Sequence, residues 1–226
     1  MKVYNMIEFD KQKDSLVYLE KGHLMMDQCQ LNLTTVTKLQ QALIPAILCN
    51  KNTFISLENC DIKGTFDFNS IGIALKKASA SIKTTNVSNC SKGGIIMMVD
   101  DNSKVVIEKT KVSYNLTFGI QILGNSVTPY IRDSHIVNND CVGIQIGILN
   151  KCILKNNIIS TNQNGIEVLL ADPYISENCI TENYKEGIKL KAFDTLACKA
   201  VISFNEITYN QNNGIICIGK HNKTKI

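Results

Sequence analysis

The sequence predicts an all-β fold, a single-stranded parallel β-helix (solenoid) of about eight coils. Three observations lead there. A G-I-x-apolar start recurs at Gly72, Gly94, Gly119, Gly143, Gly165, Gly187 and Gly214, with spacings of 22, 25, 24, 22, 22 and 27 residues. Each start is followed by two apolar anchors five residues apart: Ile82/Val87, Ile107/Val112, Ile131/Ile136, Ile153/Ile158, Ile175/Ile180 and Ile202/Ile207. Small polar residues sit midway between the anchors and again three residues after the second. The period is too short for a strand–helix–strand unit, which needs roughly 30 residues or more. One such repeat cannot bury its apolar side alone, so it must stack on its neighbours.

The elements follow in chain order. An open solenoid end exposes unpaired backbone, so residues 1–14 are expected to form an N-terminal cap. Residues 15–31 overlay 46–62 without a gap, matching Met26 with Leu57, Cys29 with Cys60 and Leu31 with Ile62. These are two early coils, and the residues at 34–45 between them are expected to form a short helical or loop insertion. The solenoid runs over 15–218, and 219–226 form a basic C-terminal tail. Two polar columns mark the corners. One is Cys29, Cys60, Thr85, Thr110, Ser134, Asn156, Asn178 and Asn205, and the other is Cys90, Asn115, Asn139, Thr161, Asn183 and Asn210. Asn tolerates left-handed turns, and stacked Asn amides can hydrogen-bond along the axis. Gly allows the backbone to turn without a Cβ.

Composition narrows the function classes. The chain has 24 Lys and Arg against 20 Asp and Glu, a net charge of +4. Arg132 is the sole arginine, whereas proteins that recognise phosphates and bases usually concentrate arginine on one face, so no nucleic-acid partner is expected. No apolar run approaches membrane-span length and the N-terminus carries no apolar signal core, so no membrane partner is expected either. The nine cysteines include no CxxC pair and recur at similar repeat positions. They are expected to be reduced core residues of a cytoplasmic, intracellular protein. Five N-x-S/T sequons (Asn32, Asn86, Asn89, Asn115 and Asn222) arise by chance in a chain this rich in Asn.

The stretches "TPYIRDSHIVNNDCVGIQI" and "DPYISENCITENYKEGIKL" place Pro129 and Pro173 at the same coil position. Their pattern resembles the right-handed parallel β-helix repeats of the pectin-lyase-like superfamily. It is closest to repeats of carbohydrate-binding proteins and sugar hydrolases, and to the substrate-receptor region of an F-box-only ubiquitin ligase. The resemblance implies a right-handed coil, and carbohydrate-active or carbohydrate-binding function as one alternative. A pectate lyase of that superfamily would resemble a clustered acidic calcium triad with an arginine. A polygalacturonase would show paired aspartates with N-T-D, G-H-G and R-I-K motifs. Here Asp100–Asp101 is the only adjacent acidic pair and suits a solvated Asx turn. Arg132 suits a surface strand charge, and His23, His135 and His221 are scattered without matched carboxylates. The expectation is therefore a non-catalytic protein with no catalytic residues, no metal and no cofactor.

Candidate partner-binding residues come from strand alternation. If the Ile of each G-I-x-apolar start points inward, x points outward: Val17, Leu48, Ala74, Ile96, Gln121, Gln145, Glu167, Lys189 and Ile216. The first four form an apolar stripe, suited either to a docking protein or to cover by Leu39, Leu43 and Ile44 of the insertion. Glu167 and Lys189 are expected to pair. Tyr130 and Tyr174 share a coil position two coils apart, with Cys152 between them. These features predict a structural or protein–protein interaction module whose partners are other proteins in a larger assembly. The Asn/Lys/Ile-heavy composition suggests an AT-rich genome, for which a cytoskeletal or ciliary setting is conceivable.

Overall fold

The computed structural model describes residues 2–4, 15–33, 43–124, 129–147, 150–193 and 197–226. Within them the short Ile/Val-rich stretches form strands of three to seven residues, separated by turns at the polar columns. From Val17 onward consecutive strands turn through three faces, and each pairs in parallel with its equivalent one coil away. The first sheet begins with Val17–Leu19 and Ile44–Cys49 and ends at Ile188–Lys191 and Ile215–Ile218, nine strands in all. The second runs from His23–Asp27 to Val201–Ser203, and the third, of eight strands, from Gln30–Asn32 to Glu206–Thr208. At the ladder spacing of about 4.8 Å per coil the stack is roughly 40 Å long.

The core is a set of axial columns. Ile73, Ile95, Ile120, Ile144, Ile166 and Ile188 are all fully buried and in register. Full burial of one such side chain contributes about 1.5–3 kcal/mol. The glycine before each is required by close approach rather than by dihedral angle. A Cβ on Gly165 would lie 2.5 Å from the carbonyl oxygen of Gly187.

Two buried asparagine columns fasten the corners. In one, Asn157 Nδ2 donates to Asn178 Oδ1 (2.9 Å), and Asn178 Nδ2 donates to Asn205 Oδ1 (2.9 Å). In the other, Asn115, Asn139, Asn162, Asn183 and Asn210 are joined by Nδ2–Oδ1 bonds of 2.8–3.2 Å. Each Oδ1 also accepts the backbone N–H of the preceding coil's member, as Asn183 does from Asn162 (3.0 Å). Thr85 and Ser134 serve the early coils in the same role through their hydroxyls.

The left-handed residue at each corner is the one before the ladder position, not the laddered Asn. Thr161, Glu177, Glu182, Phe204 and Tyr209 all have φ between 53° and 57°. Such a conformation costs a residue with a Cβ roughly 1–2 kcal/mol. It is tolerated because it aims the next amide inward along the axis.

One coil is displaced by a residue from the expected register. Leu154 and Ile159, not Ile153 and Ile158, face the core, and Asn157 and Asn162, not Asn156 and Thr161, join the ladders. The segment from Gly143 to the first anchor is one residue longer than in the next coil, and that from Asn162 to Gly165 one shorter. The two changes cancel, so the glycine spacing conceals both. The runs "CIL" and "NNII" fit either register, and only the ladder distinguishes them.

Both ends of the described chain are paired to the solenoid. Of residues 1–14, Lys2–Tyr4 pair antiparallel with His23–Asp27, and the others lie outside the described residues. Residues 34–42 of the expected insertion are also outside them, and the following strand starts at Ile44. Residues 219–226 do not hang free. Lys225 accepts from Ile202 N and donates from its own N to Ala200 O, both at 2.9 Å, along the last strand of the second sheet.

Replacing Asn183 by Ala removes an acceptor for two Asn162 donors and a donor to Ile159 O. The expected loss is about 3 kcal/mol, read as a lower urea midpoint. Glu182→Gly at the adjacent left-handed corner raises stability by about 0.5–1 kcal/mol in the same measurement.

Candidate functional site

Three long outer faces are the surfaces on which this molecule can act. On the first sheet the outward column is Tyr18, Leu48, Ala74, Ile96, Gln121, Gln145, Glu167, Lys189 and Ile216. Val17 does not belong to it. It pairs with Ile47, is 3% exposed and lies in the main core. The offset between the first two coils is 30 residues in this sheet and 31 in the next, because the turn before Phe54 is one residue longer than that before His23. A gapless overlay therefore puts the wrong residue outside.

The apolar part of that column is closed. Tyr18, Leu48, Ile71 and Ala74 form a cluster of their own, each less than 9% exposed, with Ile96 packed against it. Tyr18 Oη accepts from Asn50 Nδ2 at 2.6 Å. Leu43 is 60% exposed and Ile44 faces the main core, so neither covers the stripe; Leu39 lies outside the described residues.

The polar part is a side-chain ladder. Gln121 Nε2 donates to Gln145 Oε1 (2.7 Å), and Gln145 Nε2 donates to Glu167 Oε2 (2.9 Å). Lys191 closes it at 2.6 Å from Glu167 Oε1. The expected partner Lys189 is opposite Glu167 in register, but the ion pair is made by Lys191, two residues on. Burial pushes the Glu167 pKa up, but the hydrogen bonds from Lys191 and Gln145 outweigh it and hold the carboxyl below the usual range. Nearby, Glu186 is buried and its Oε2 has no hydrogen-bond partner.

The second sheet presents the more accessible surface. Its outward column contains Val106, Tyr130, Ile153, Tyr174 and Val201 on five successive coils. Ile153, not Cys152, stands between the tyrosines, and Cys152 is fully buried. Tyr174 is 42% exposed, and Tyr130, Ile153 and Val201 are half-buried. The next outward column carries Lys83, Glu108, Arg132 and Lys155. Arg132 bonds Glu108 at 2.9 Å and lies 5.5 Å from the Tyr130 ring centre, so it stiffens the aromatic row as well as carrying charge. Val106, Ile153 and Val201 escaped the sequence reading. The available signal was the residue preceding each first anchor, which is apolar or aromatic in all five coils.

The groups that chemistry would need are dispersed. Asp100 Oδ1 accepts from Asn102 N (3.2 Å) and Ser103 Oγ (2.9 Å), the Asx-turn arrangement expected of that pair. Among the described residues no group of three or more His, Cys, Asp and Glu is placed to hold a metal ion. All nine cysteines are free and six are buried. Burial pushes the Cys49 and Cys90 thiols up to about 12, where they are inert as nucleophiles.

A family model described as a right-handed beta helix region matches residues 26–175 and 72–226. The chain belongs to the right-handed β-helix family. No curated protein matches it. Among the described residues no helix is long and apolar enough to cross a membrane. In a right-handed β-helix the three sheets and their corners are common property, so what distinguishes this member is what its outer columns display.

The Glu167 carboxyl has a folded pKa below the ordinary value of 4.5. Its contribution to stability is therefore present above about pH 4.5 and lost as pH falls through the lower folded value. Glu167→Gln is expected to lower the urea midpoint at neutral pH and to flatten its fall on the acid side.

Proposed function

We propose that this β-helix is a non-catalytic interaction module that docks laterally on another protein through the outer face of its second sheet. The observation that carries the reading is the outward row Val106–Tyr130–Ile153–Tyr174–Val201, with Tyr174 exposed and the others half-buried, flanked by the charges of Lys83, Glu108, Arg132 and Lys155. A row on five successive coils is about 19 Å long and is held by main-chain ladders, so its side chains lose little further freedom on binding. Aromatic anchors beside charges are the composition of energetically important interface patches. The apolar stripe of the first sheet is a weaker candidate because Leu48 and Ala74 are already buried. A rigid rod with such a face suits a subunit of a larger assembly, and a cytoskeletal or ciliary one is consistent with that geometry.

The tyrosines also support a second reading. Two aromatic rings about 10 Å apart on one flat face can stack on alternate sugar units of an extended chain. That makes carbohydrate binding the rival.

Cross-linking mass spectrometry on protein isolated gently from its native cells tests the proposal. Lys83 and Lys155 are expected to link reproducibly to one or two other proteins. A Tyr130→Ser/Tyr174→Ser variant is expected to lose those links while keeping its melting temperature within a few degrees. Isolation of the chain alone, with links only within itself, overturns the docking reading. Binding to an oligosaccharide array that the same double variant abolishes would replace it with the carbohydrate one.

A further inference from the structure

A second surface lies away from that row, where the turns of the early coils pass from the first sheet to the second. An open cleft of about 660 Å³ is lined there by Glu20, Lys21, Asn50, Lys51, Lys76 and Lys77, together with Gly22, Asn52 and Met98. Its volume is in the range of small-molecule sites. Four lysines from three successive coils thus share one concavity with a single glutamate. All four are exposed, and among the described residues none of them makes an ion pair.

What sets these four apart is their convergence on one concavity, since most other described lysines are also unpaired and only three are held by a carboxylate. Lys63 bonds Asp61 at 2.9 Å, Lys155 bonds Glu177 at 3.1 Å and Lys191 bonds Glu167 at 2.6 Å. A further carboxylate, Asp100, is occupied by its own loop through Ser103 Oγ and Asn102 N. The Ser103 bond is the first reason that its pKa is low, and the charges of Lys77 and Lys51 also lower it, which places those ammonium groups close by. Gathering four ammonium groups around one glutamate, with Asp100 close by, leaves the cleft net positive, which is unfavourable for the empty protein, and a multivalent anion would offset that repulsion.

The corner backbone keeps the lysines in place. Lys77 (φ 56°) and Asn52 (φ 63°) hold left-handed turns, with Asn52 N bonded to Lys77 O and Lys77 N bonded to Met98 O. A Cβ on Gly22 would meet nothing within 4 Å, so that side of the cleft is open. Met98, 49% exposed, and the lysine stems supply an apolar wall. Lysine serves as a point-charge binder of phosphate, and a compact concavity without arginine is poorly suited to tracking a nucleic-acid strand.

We propose that this cleft binds a compact ligand carrying two or more phosphate groups. It does so independently of the docking face, since the two share no residue. Lys51 and Lys77 neutralise the phosphates from adjacent corners, Lys21 and Lys76 close around them, and Met98 packs against the organic part.

Isothermal titration of the full chain with inorganic pyrophosphate at low ionic strength tests this. Saturable binding is expected, about tenfold weaker or more in Lys51→Glu/Lys77→Glu and unchanged in Lys111→Glu, an exposed lysine of the third sheet. Circular dichroism checks the fold of each variant, and Lys21→Gln provides a milder second variant at the open side of the cleft. A parallel flotation with phosphatidylcholine vesicles carrying phosphatidylinositol bisphosphate identifies the source. Flotation that depends on Lys51 and Lys77 assigns the phosphates to a lipid headgroup, whereas pyrophosphate binding without flotation assigns them to a soluble metabolite. Absence of saturable pyrophosphate binding, or binding equal in the double variant and the parent, overturns the proposal.

Discussion

The axial hydrogen bond from one coil to the next is the constraint on which the rest of this structure depends. Main-chain ladders on three faces fix the rise, and the asparagine columns fix the rotation. An Asn amide can donate to the next Oδ1 only if its coil begins the turn at the same angular position as its neighbour. Shifting a coil by one residue would break these buried bonds and turn every core side chain outward. The cost of unsatisfied buried amides, about 1–3 kcal/mol each, is large beside the total stability of an ordinary domain.

That constraint explains local features that otherwise look unfavourable. Tyr114, Phe204 and Tyr209 are poor choices for a left-handed backbone, yet all three adopt it. Each precedes a ladder Asn, and the amide bonds gained at the corner outweigh the strain. The glycines of the G-I starts answer to the same stacking. From Gly72 to Gly187 the coils approach so closely there that a Cβ would collide with the next carbonyl oxygen, and strand conformation at Gly165 or Gly187 needs no unusual φ.

Because the stacking is one-dimensional, function is displayed in rows. A residue type repeated at one coil position becomes a stripe along the rod, and neighbouring stripes differ independently. The second sheet carries an aromatic row beside a charged one, while the first carries a closed apolar cluster that passes into a Gln–Gln–Glu–Lys chain. The lysine cleft arises differently, from three turns of unequal length in the early coils. Rows favour extended or flat partners, and the concave turn region favours a compact ligand.

The sequence by itself determined the solenoid, its inward Ile columns, most of its Asn ladders and the existence of outward stripes. Those features depend on residue type recurring at a fixed interval, and a one-dimensional fold converts interval directly into position. It did not determine which of two adjacent apolar residues faces the core where runs such as "CIL" and "NNII" allow both, nor that Tyr18 replaces Val17 outside. Those choices turn on unequal turn lengths that cancel within a coil, and they become visible only when strand registers are known. The tertiary structure also decided that Leu48 and Ala74 are buried while Tyr174 is open, and that Lys191 rather than Lys189 holds Glu167. It alone gathered Lys21, Lys51, Lys76 and Lys77 into one cleft, because residues as far as 56 positions apart meet only when coils stack.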